Sequence, residues 1–533
     1  MKSAQRARVY HAPVWTEPVI MELGRAGERG IAVPEVEPEI RKALGEAVVH
    51  IPPSMRRKDP PQLPELSQAQ VLRHYLRLSQ MTLGMELNVD FGEGTCTMKY
   101  SPKVNEELAR QIAEMHPLQP EETLQGILEI IYRFGREFLK EVSGMDEFSF
   151  QAGGGSEAVF TNACIMRKHH ELNGELDQRN EIITTIFSHP CDAAVPATAG
   201  FDVITLYPDE KTGLPDTEAL KAAVSKHTAG IMVTNPEDTG IFNPEIDEWT
   251  KIVHEVGGLC SYDQANANAI LGITRAKDVG FDMGFFNLHK TFGAPHGSDG
   301  PACGAVCVTK ELAEFLPVPV VTFDGKKYHL DYDRPNSIGK VRGFLGNVPV
   351  VLKAYSWAMS MGAEGFRKTA EISMINNSYL EKKLQGVRGV VKPYSTKRRL
   401  DQIRYSLQKL TEETGVSVLD FNRRIVDYGI QSYFLSHHPW IVPEPFTPEP
   451  CETYSKADID YWVTCLEQVC KEAYENPDMV KSAPHNSSIA RMNEAALDDP
   501  DRWAMTWRAH LRKTESRRQS KRSTGKRHKA CVR

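Results

Sequence analysis

Six short runs of apolar and β-branched residues follow one another along the middle of this chain. Amphipathic segments such as 216–225 and 244–256 separate several of these runs. Strands that alternate with amphipathic helices form a mainly parallel sheet whose two faces are covered by helices. The pattern therefore predicts an α/β fold, with strands at 182–187, 202–206, 230–234, 258–262, 282–287 and 303–308.

The length of 533 residues allows more than one domain. Prolines and charges dominate residues 1–65, so we expect an extended N-terminal arm there. Residues 66–345 contain the alternating pattern and are predicted to form the large domain. A helical stretch and a proline-punctuated apolar segment predict a smaller C-terminal α/β domain over 346–495. Residues 496–533 are expected to form a basic, disordered tail.

The positive charge of the chain is concentrated at its C-terminus. Ten Lys and Arg but a single Glu fall within 512–533, whereas the rest of the chain holds 54 basic and 69 acidic residues, a net charge of −15. A basic segment that buries little apolar area is typical of a solvated, disordered tail. The other interpretation is a weak, salt-sensitive contact with nucleic acid or an acidic partner. The acidic body argues against nucleic-acid binding as the main activity.

Neither a membrane protein nor a metal-binding protein is favoured by the sequence. No run approaches the roughly 18 apolar residues that span a bilayer, and the first residues lack the apolar core of a secretory signal. The ten cysteines occur singly or as Cys303/Cys307 and Cys465/Cys470, never as C-x-x-C, which argues against structural zinc. We therefore expect a reduced, cytoplasmic enzyme without a metal ion.

The residues that directly follow four of the predicted strands are polar. Open α/β sheets bind ligands beyond the carboxyl ends of their strands. A lysine, an aspartate, a histidine and an asparagine at one such edge are the residue types that a pyridoxal phosphate site needs. In chain order these residues are His189, Asn235, Asp263 and Lys290.

Each residue type has a chemical task in such a site. The amine of Lys290 binds the aldehyde of pyridoxal 5'-phosphate, and the carboxylate of Asp263 keeps the pyridine nitrogen protonated so that the ring accepts electrons. The flat side chain of His189 stacks on the ring. A glycine-rich turn that opens a helix binds phosphate through its backbone N–H groups, and Gly153–Ala158 precede an apolar helical run. This order of elements is shared by the aspartate-aminotransferase-type fold.

Taken singly, each of these residues has a simpler interpretation. A lone lysine is usually on the surface, a lone aspartate is usually a turn or cap residue, and Asn235 or His296 either contacts the cofactor or holds a loop. Together they favour a cofactor site in which Lys290 and His189 are catalytic. The predicted cofactor-binding residues are Gly154, Gly155, Ser156, Glu157, His189, Asn235, Asp263, His289 and Lys290.

A longer motif around the lysine identifies a family. Asn287–Phe292, followed by Pro295–Gly297 and Gly300–Pro301, resembles the lysine motif of the glycine cleavage system P-protein, the decarboxylating glycine dehydrogenase, in its second (β) subunit. The resemblance covers roughly residues 25–490. Other segments similar to the family are Arg73–Tyr75, Leu78–Gln80, Cys96–Tyr100, His116–Thr123, Leu330–Pro335, Ile441–Glu444 and Ala483–Asn486.

This resemblance implies a fold type I pyridoxal phosphate enzyme with a smaller C-terminal α/β domain. It implies that glycine is decarboxylated and that the aminomethyl group passes to the lipoyl arm of a small partner, the H-protein. It also implies assembly with an α subunit of similar fold, as an α2β2 heterotetramer.

The sequence departs from the family pattern at several positions. The family's Thr and Asn beside the histidine are Cys191 and Asp192 here, its His-Pro-Pro-Thr segment is Gln431–Phe434, its His-Glu-Phe segment is Asp401–Ile403, and the residues flanking the glycine turn differ. A carboxylate at position 192 either repels the carboxylate of glycine or points away from it. The alternatives to glycine decarboxylation are therefore a related enzyme that acts on a different amino acid or amine, and a non-catalytic subunit. The lysine and aspartate of the site argue against the last.

Overall fold

The computed structural model describes residues 6–515, except residues 29, 32–33, 46, 60, 62, 85–86, 90, 93–98, 297–299 and 431–435. Several predictions therefore lie outside the described residues, namely those for Gln431–Phe434, for the tail beyond 515 and for part of the Cys96–Tyr100 motif. The described residues divide into two compact units, one drawn from 6–9 and 84–483 and the other from 10–83 and 484–515.

A seven-stranded sheet is the centre of the first unit, as far as the described residues show. Its strand order is β1-β7-β6-β5-β4-β2-β3. Strands β2 to β6 run parallel, and β7 is antiparallel to both β1 and β6. The strands are β1 Glu147–Ala152, β2 Glu181–Thr185, β3 Asp202–Leu206, β4 Thr228–Thr234, β5 Leu259–Asp263, β6 Met283–Asn287 and β7 Gly304–Val308.

The six predicted strands are confirmed within two residues at each end, and the mainly parallel sheet is confirmed with them. Strand β1 was not expected. Its polar and apolar residues alternate, but the strand is short and lies between a helical stretch and the glycine turn, so the alternation did not stand out in the sequence. Smaller hairpins are formed by β8 Val320–Phe323 with β9 Tyr328–Asp331, and by β10 Tyr405–Ser406 with β11 Pro445–Phe446.

Helices precede, cover and follow the sheet. The predicted amphipathic segments are confirmed as α8 and α9, and α4 continues through a π-helical turn, Phe134–Leu139, into α5. The helices are α1 Pro38–Leu44, α2 Gln68–Gln80, α3 Lys103–Arg110, α4 Glu121–Arg133, α5 Lys140–Ser143, α6 Gly155–Leu172, α7 Pro190–Thr198, α8 Thr217–Ala223, α9 Ile246–Glu255, α10 Val348–Leu384, α11 Gln408–Thr414, α12 Val418–Ile425, α13 Lys456–Glu475 and α14 Pro477–Lys481.

Two apolar clusters pack on the two faces of the sheet. Neighbouring strand residues point to opposite faces, and in β6 Phe286 joins the cluster that contains Trp249 and Trp357, whereas Phe285 joins the cluster that contains Met166. The consecutive buried residues of β6 are typical of a strand covered on both sides. A third cluster surrounds Trp462, Phe421 and Phe446 in the C-terminal half of this unit. The predicted bounds of the domains stay a prediction.

The second unit contains α1, α2 and the described end of the chain. Helix α2 begins with a capping box, in which Ser67 and Gln70 each bond the other's backbone N–H. On the same helix the buried His74 contacts Glu17 at 2.8 Å, and Arg77 contacts this carboxylate at 3.1 Å. Residues 507–515 are helical. Along the described residues of both units, no helix combines the length and apolar character needed to cross a membrane.

We expect Ile231→Ala to lower the free energy of unfolding by about 2–5 kcal/mol, because Ile231 is fully buried on β4 and its truncation leaves a cavity. Ile375→Ala is the matched control, since Ile375 is 65% exposed and surface substitutions change stability by about 0.5 kcal/mol or less. Urea denaturation followed by fluorescence measures both. Equal losses for the two variants would contradict the assigned core.

Candidate active site

The carboxyl ends of the parallel strands form one wall of a small pocket. Segments between the strands and a segment before β10 complete it. It is lined by His189, Thr234, Pro236, Asp238, Asp263, Ala265, Asn266, Lys290, Asp401 and Gln402. The sequence prediction that polar residues converge at this edge is therefore met for His189, Asp263 and Lys290.

Lys290 and Asp263 are brought together because β5 and β6 are neighbours in the sheet. Asp263 is the last residue of β5, and Lys290 follows β6 by three positions. Both side chains are buried. Burial raises the pKa of Asp263, and the nearby charge of Lys290 opposes that rise. The backbone N–H of Ala265 donates to Asp263 Oδ1 at 2.8 Å, which fixes the orientation of the carboxyl group.

His189 is the N-cap of α7, and its ring lies in the same pocket. The backbone N–H of Cys191 donates to its Nδ1 at 3.1 Å. Burial, together with the neighbouring charge of Lys290, lowers the pKa of His189 to about 4. The imidazole is therefore neutral at neutral pH. A flat, uncharged ring held by a helix cap is suited to stacking on an aromatic cofactor.

The glycine turn opens α6, and neighbouring side chains approach two of its glycines closely. A Cβ on Gly153 would lie 2.2 Å from Arg342 Nη2, and a Cβ on Gly155 would lie 3.0 Å from Asn287 Nδ2. The hydroxyl of Ser156 hydrogen-bonds the thiol of Cys191, beside His189. The first turn of α6 therefore exposes its N–H groups close to the predicted ring-stacking residue.

Glu157, predicted to bind the cofactor, is not among the residues that line the pocket. Its carboxylate accepts a hydrogen bond from Arg342 Nη2 at 2.6 Å and another from the backbone N–H of Gly153 at 2.7 Å. Burial would raise the pKa of Glu157, but these bonds, that of Arg342 foremost, lower it. The acid thus stabilises the glycine turn. Arg342 was not found by sequence reasoning, because a single arginine in a loop forms no pattern.

Asn235 and His289, which were predicted to bind the cofactor, are not among the residues that line the pocket. Both polar atoms of the Asn235 side chain bond the backbone of Asn243, at 3.1 and 2.8 Å, so this side chain holds a loop. His289 is buried with its ring 5.1 Å from that of His296. Burial lowers the pKa of His289 to about 3, with a further contribution from Lys290. Thr291 accepts the N–H of Ala267 and also shapes a loop.

The structure decides where Asp192 points. Its side chain is buried and its carboxyl oxygen lies within 4.8 Å of an oxygen of Asp263 and of the sulfur of Cys191. It does not belong to the residues that line the pocket. This carboxyl group is therefore buried against Asp263 rather than in the wall of the pocket.

Two further groups of buried charged residues were not predicted from the sequence. Asp238 is buried and accepts from Arg404 at 2.6 Å and His437 at 3.2 Å; burial opposes its ionisation, but the charge of Arg404 keeps the pKa of Asp238 low. Asp401 and Glu449 form a carboxyl pair: burial raises the pKa of both, and the charge of Glu449 raises that of Asp401 further. Their members are far apart in sequence, so no spacing rule predicts either group.

Comparisons with known proteins find a matching family profile and similar chains. A sequence profile described as "Glycine dehydrogenase, C-terminal domain" matches residues 369–490. The chain is 42% identical to the probable glycine dehydrogenase (decarboxylating) subunit 2 of Pyrococcus abyssi over 94% of this chain and 98% of that one. The corresponding protein of Pyrococcus furiosus is 43% identical over 93% and 97%.

The chain belongs to the glycine dehydrogenase (decarboxylating) subunit 2 family.

Solved structures support the same fold for this member of the subunit 2 family. A glycine decarboxylase (P-protein) of the glycine cleavage system, in inhibitor-bound form, has a TM-score of 0.69 at 19% identity and covers 82% of this chain and 100% of its own. The cysteine desulfurase CsdA of Escherichia coli has a TM-score of 0.55 at 15% identity, with 74% and 97% covered. The fold is therefore the predicted aspartate-aminotransferase type, fold type I.

In this subunit 2 protein, we expect Arg404→Met to destabilise the fold by about 3–5 kcal/mol, because it leaves the carboxylate of Asp238 buried without its partner. Adding Asp238→Asn should recover much of the loss. The control Lys456→Met removes the ion pair that an exposed lysine makes with Asp460 and should cost far less, because such pairs contribute little to stability. Denaturation midpoints measure all three, and failure of the double variant to recover stability would contradict this role of Asp238.

Proposed function

We propose that this chain is the cofactor-bearing subunit that decarboxylates glycine, with pyridoxal 5'-phosphate bound to Lys290. The observation that carries the proposal is the pocket in which the lysine amine, the carboxyl group of Asp263 and the neutral ring of His189 lie together. The name shared by its relatives, which specifies a decarboxylating glycine dehydrogenase, supports glycine as the substrate.

The residues of the pocket fit this cofactor. Lys290, Asp263 and His189 line the pocket. Near Lys290 in the chain, the buried side chains of Asn287 and His289 each keep one polar atom without a hydrogen-bond partner among the described residues. Gly154, Gly155 and Ser156 at the start of α6 would hold the phosphate. When bound, the cofactor supplies a ring that accepts the electron pair released with carbon dioxide.

The protein's own residues prepare the site for that chemistry. Asp263 holds a proton at the ring nitrogen, and His189 orients the ring from one face. Glu157, Asn235 and the backbone around His289 position these groups: Glu157 through Arg342 and the glycine turn, Asn235 through Asn243. We assign these residues a positioning function in the proposal.

The carboxylate of glycine meets little negative charge in this pocket. Asp192 is buried against Asp263 rather than in the wall of the pocket, and Asp401 lines the pocket with its pKa raised by burial and by Glu449. Glu449 Oε1 accepts amide N–H groups from Asn266 and Asn268 at 2.7 and 2.6 Å. A proton retained by this pair keeps Asp401 close to neutral. The two acidic departures from the family pattern are therefore compatible with glycine.

The proposal includes an α subunit of similar fold and a lipoyl-carrying H-protein that accepts the aminomethyl group. The family name, which specifies a second subunit, supports the first partner, and the motif resemblance supports both. It also includes a cytoplasmic location, in line with the sparse cysteines of the sequence.

Exchange of labelled bicarbonate into the carboxyl group of glycine tests the reaction. The purified chain is combined with the candidate α subunit, lipoylated H-protein and cofactor. Exchange that is lost in Lys290→Ala and kept in Lys310→Ala, a variant of an exposed lysine, supports the proposal. Bound cofactor without exchange would instead favour the related enzyme that acts on another amino acid or amine.

The attachment of the cofactor can be measured separately. After reduction with borohydride, we expect the wild-type chain to gain the mass of one cofactor, located by peptide mapping at Lys290. The Lys290→Ala chain should gain none, because the only amine placed against Asp263 in the described pocket has been removed. Cofactor attached at another lysine would contradict the assigned site.

Asp263→Asn is expected to lower the exchange rate by about 100-fold or more, because an amide cannot hold the ring nitrogen in its protonated state. The variant should still bind cofactor covalently through Lys290. The exchange rate is measured from samples in which the reaction has been stopped at successive times. Absorbance measures the fraction of chains that carry the cofactor. A variant with full occupancy and an unchanged rate would show that Asp263 has no such function.

A further inference from the structure

A second carboxyl group lies against the aspartate that faces the cofactor. Asp192 is the third residue of α7; burial raises the pKa of its carboxyl group, while the backbone N–H of His189, the residue that caps this helix, favours its ionised form. Its Oδ2 is buried and has no hydrogen-bond partner among the described residues. Asp263 lies within 4.8 Å of it. One proton between the two carboxyl groups would satisfy this oxygen.

We propose that Asp192 and Asp263 share one proton, carried mainly by Asp192, and that Asp192 thereby acts as a positioning residue for the carboxylate at the ring nitrogen. This inference rests on the proposed cofactor site, but the shared proton itself belongs to the protein alone. The motif resemblance places an asparagine at this position in the family, so the device is a feature of this chain.

The surroundings explain why Asp263 is the better anion of the two. Asp263 lies near the charge of Lys290 and accepts the N–H of Ala265, and both interactions stabilise its ionised form. Asp192 has the backbone N–H of His189 as its stabilising partner, and the negative charges of Asp263 and Asp238 disfavour its ionisation. The thiol of Cys191 and the ring of His189 are the remaining titratable groups at this point.

The geometry also explains what the shared proton accomplishes. An O–H of Asp192 that donates to Asp263 fixes the rotation of the Asp263 carboxylate together with the N–H of Ala265. The site then carries one negative charge rather than two beside the ring. Because Asp192 follows the N-cap residue of α7, the same carboxyl group links the orientation of His189 to that of Asp263.

The pair should give the cofactor-free protein a characteristic dependence on pH. Burial raises the pKa of Asp192, so the folded chain keeps a proton that the unfolded chain releases near pH 4. Stability from this proton is complete at low pH and falls as the pH rises from about 4 through the raised pKa. The Asp192→Asn side chain keeps its size and has an N–H donor but cannot release a proton. This part of the dependence of stability on pH should therefore disappear in the variant.

The test is the thermal midpoint of cofactor-free wild type and Asp192→Asn between pH 4 and 9. We expect the wild-type midpoint, relative to the variant, to fall by at least about 3 °C across this range. Asp177→Asn, a variant of an exposed aspartate, should keep the wild-type slope. Parallel curves for wild type and Asp192→Asn would overturn the proposal.

If Asp192→Asn does not fold, the same measurement is made on Asp263→Asn, which replaces the other carboxyl group of the pair. Its amide donates to Asp192, which then ionises, and the same part of the slope should be lost. A slope that persists in Asp263→Asn would overturn the shared proton. Because these readings use protein without cofactor, failure of the bicarbonate exchange leaves their outcome unaffected, and the two proposals fail separately.

Discussion

The burial of the Lys290 amine beside the Asp263 carboxyl group is the interaction around which this pocket is organised. Neither charge is stable in the interior alone, because the loss of water costs several kcal/mol for each buried ion. The sheet brings them together by making β5 and β6 neighbours, so that consecutive strands deliver opposite charges to one edge. The neutral state of His189 follows from the same arrangement, since burial and the lysine charge both disfavour its protonation.

Much of this arrangement could be predicted from the sequence. The alternation of apolar runs and amphipathic segments located six strands of the sheet, and the polar residues at their ends gave Lys290, Asp263 and His189. Strand β1 was not predicted, because the hydrophobic pattern of its few alternating residues does not differ enough from that of the helical segments around it. Glu157 was placed at the phosphate because it belongs to the glycine turn, whereas its carboxylate bonds Arg342, which enters from a distant loop.

The charges that complete the pocket could not be predicted, and the reason is the distance between the partners along the chain. Asp238 pairs with Arg404, and Glu449 bonds Asn266 and Asn268. Neither pairing produces a local pattern, because each depends on how a segment near β10 or β11 packs beside the sheet. The departures from the family motif marked Asp192 and Asp401 as unusual, but only the fold shows that each lies against a second carboxyl group.

The ion pair between Asp238 and Arg404 has a consequence for synthesis on the ribosome. The aspartate leaves the exit tunnel well before its arginine, and until then its carboxylate has no counter-ion to accompany it out of water. The pocket wall at Asp238 is therefore complete only after residue 404, which lies 166 positions later in the chain, has been synthesised.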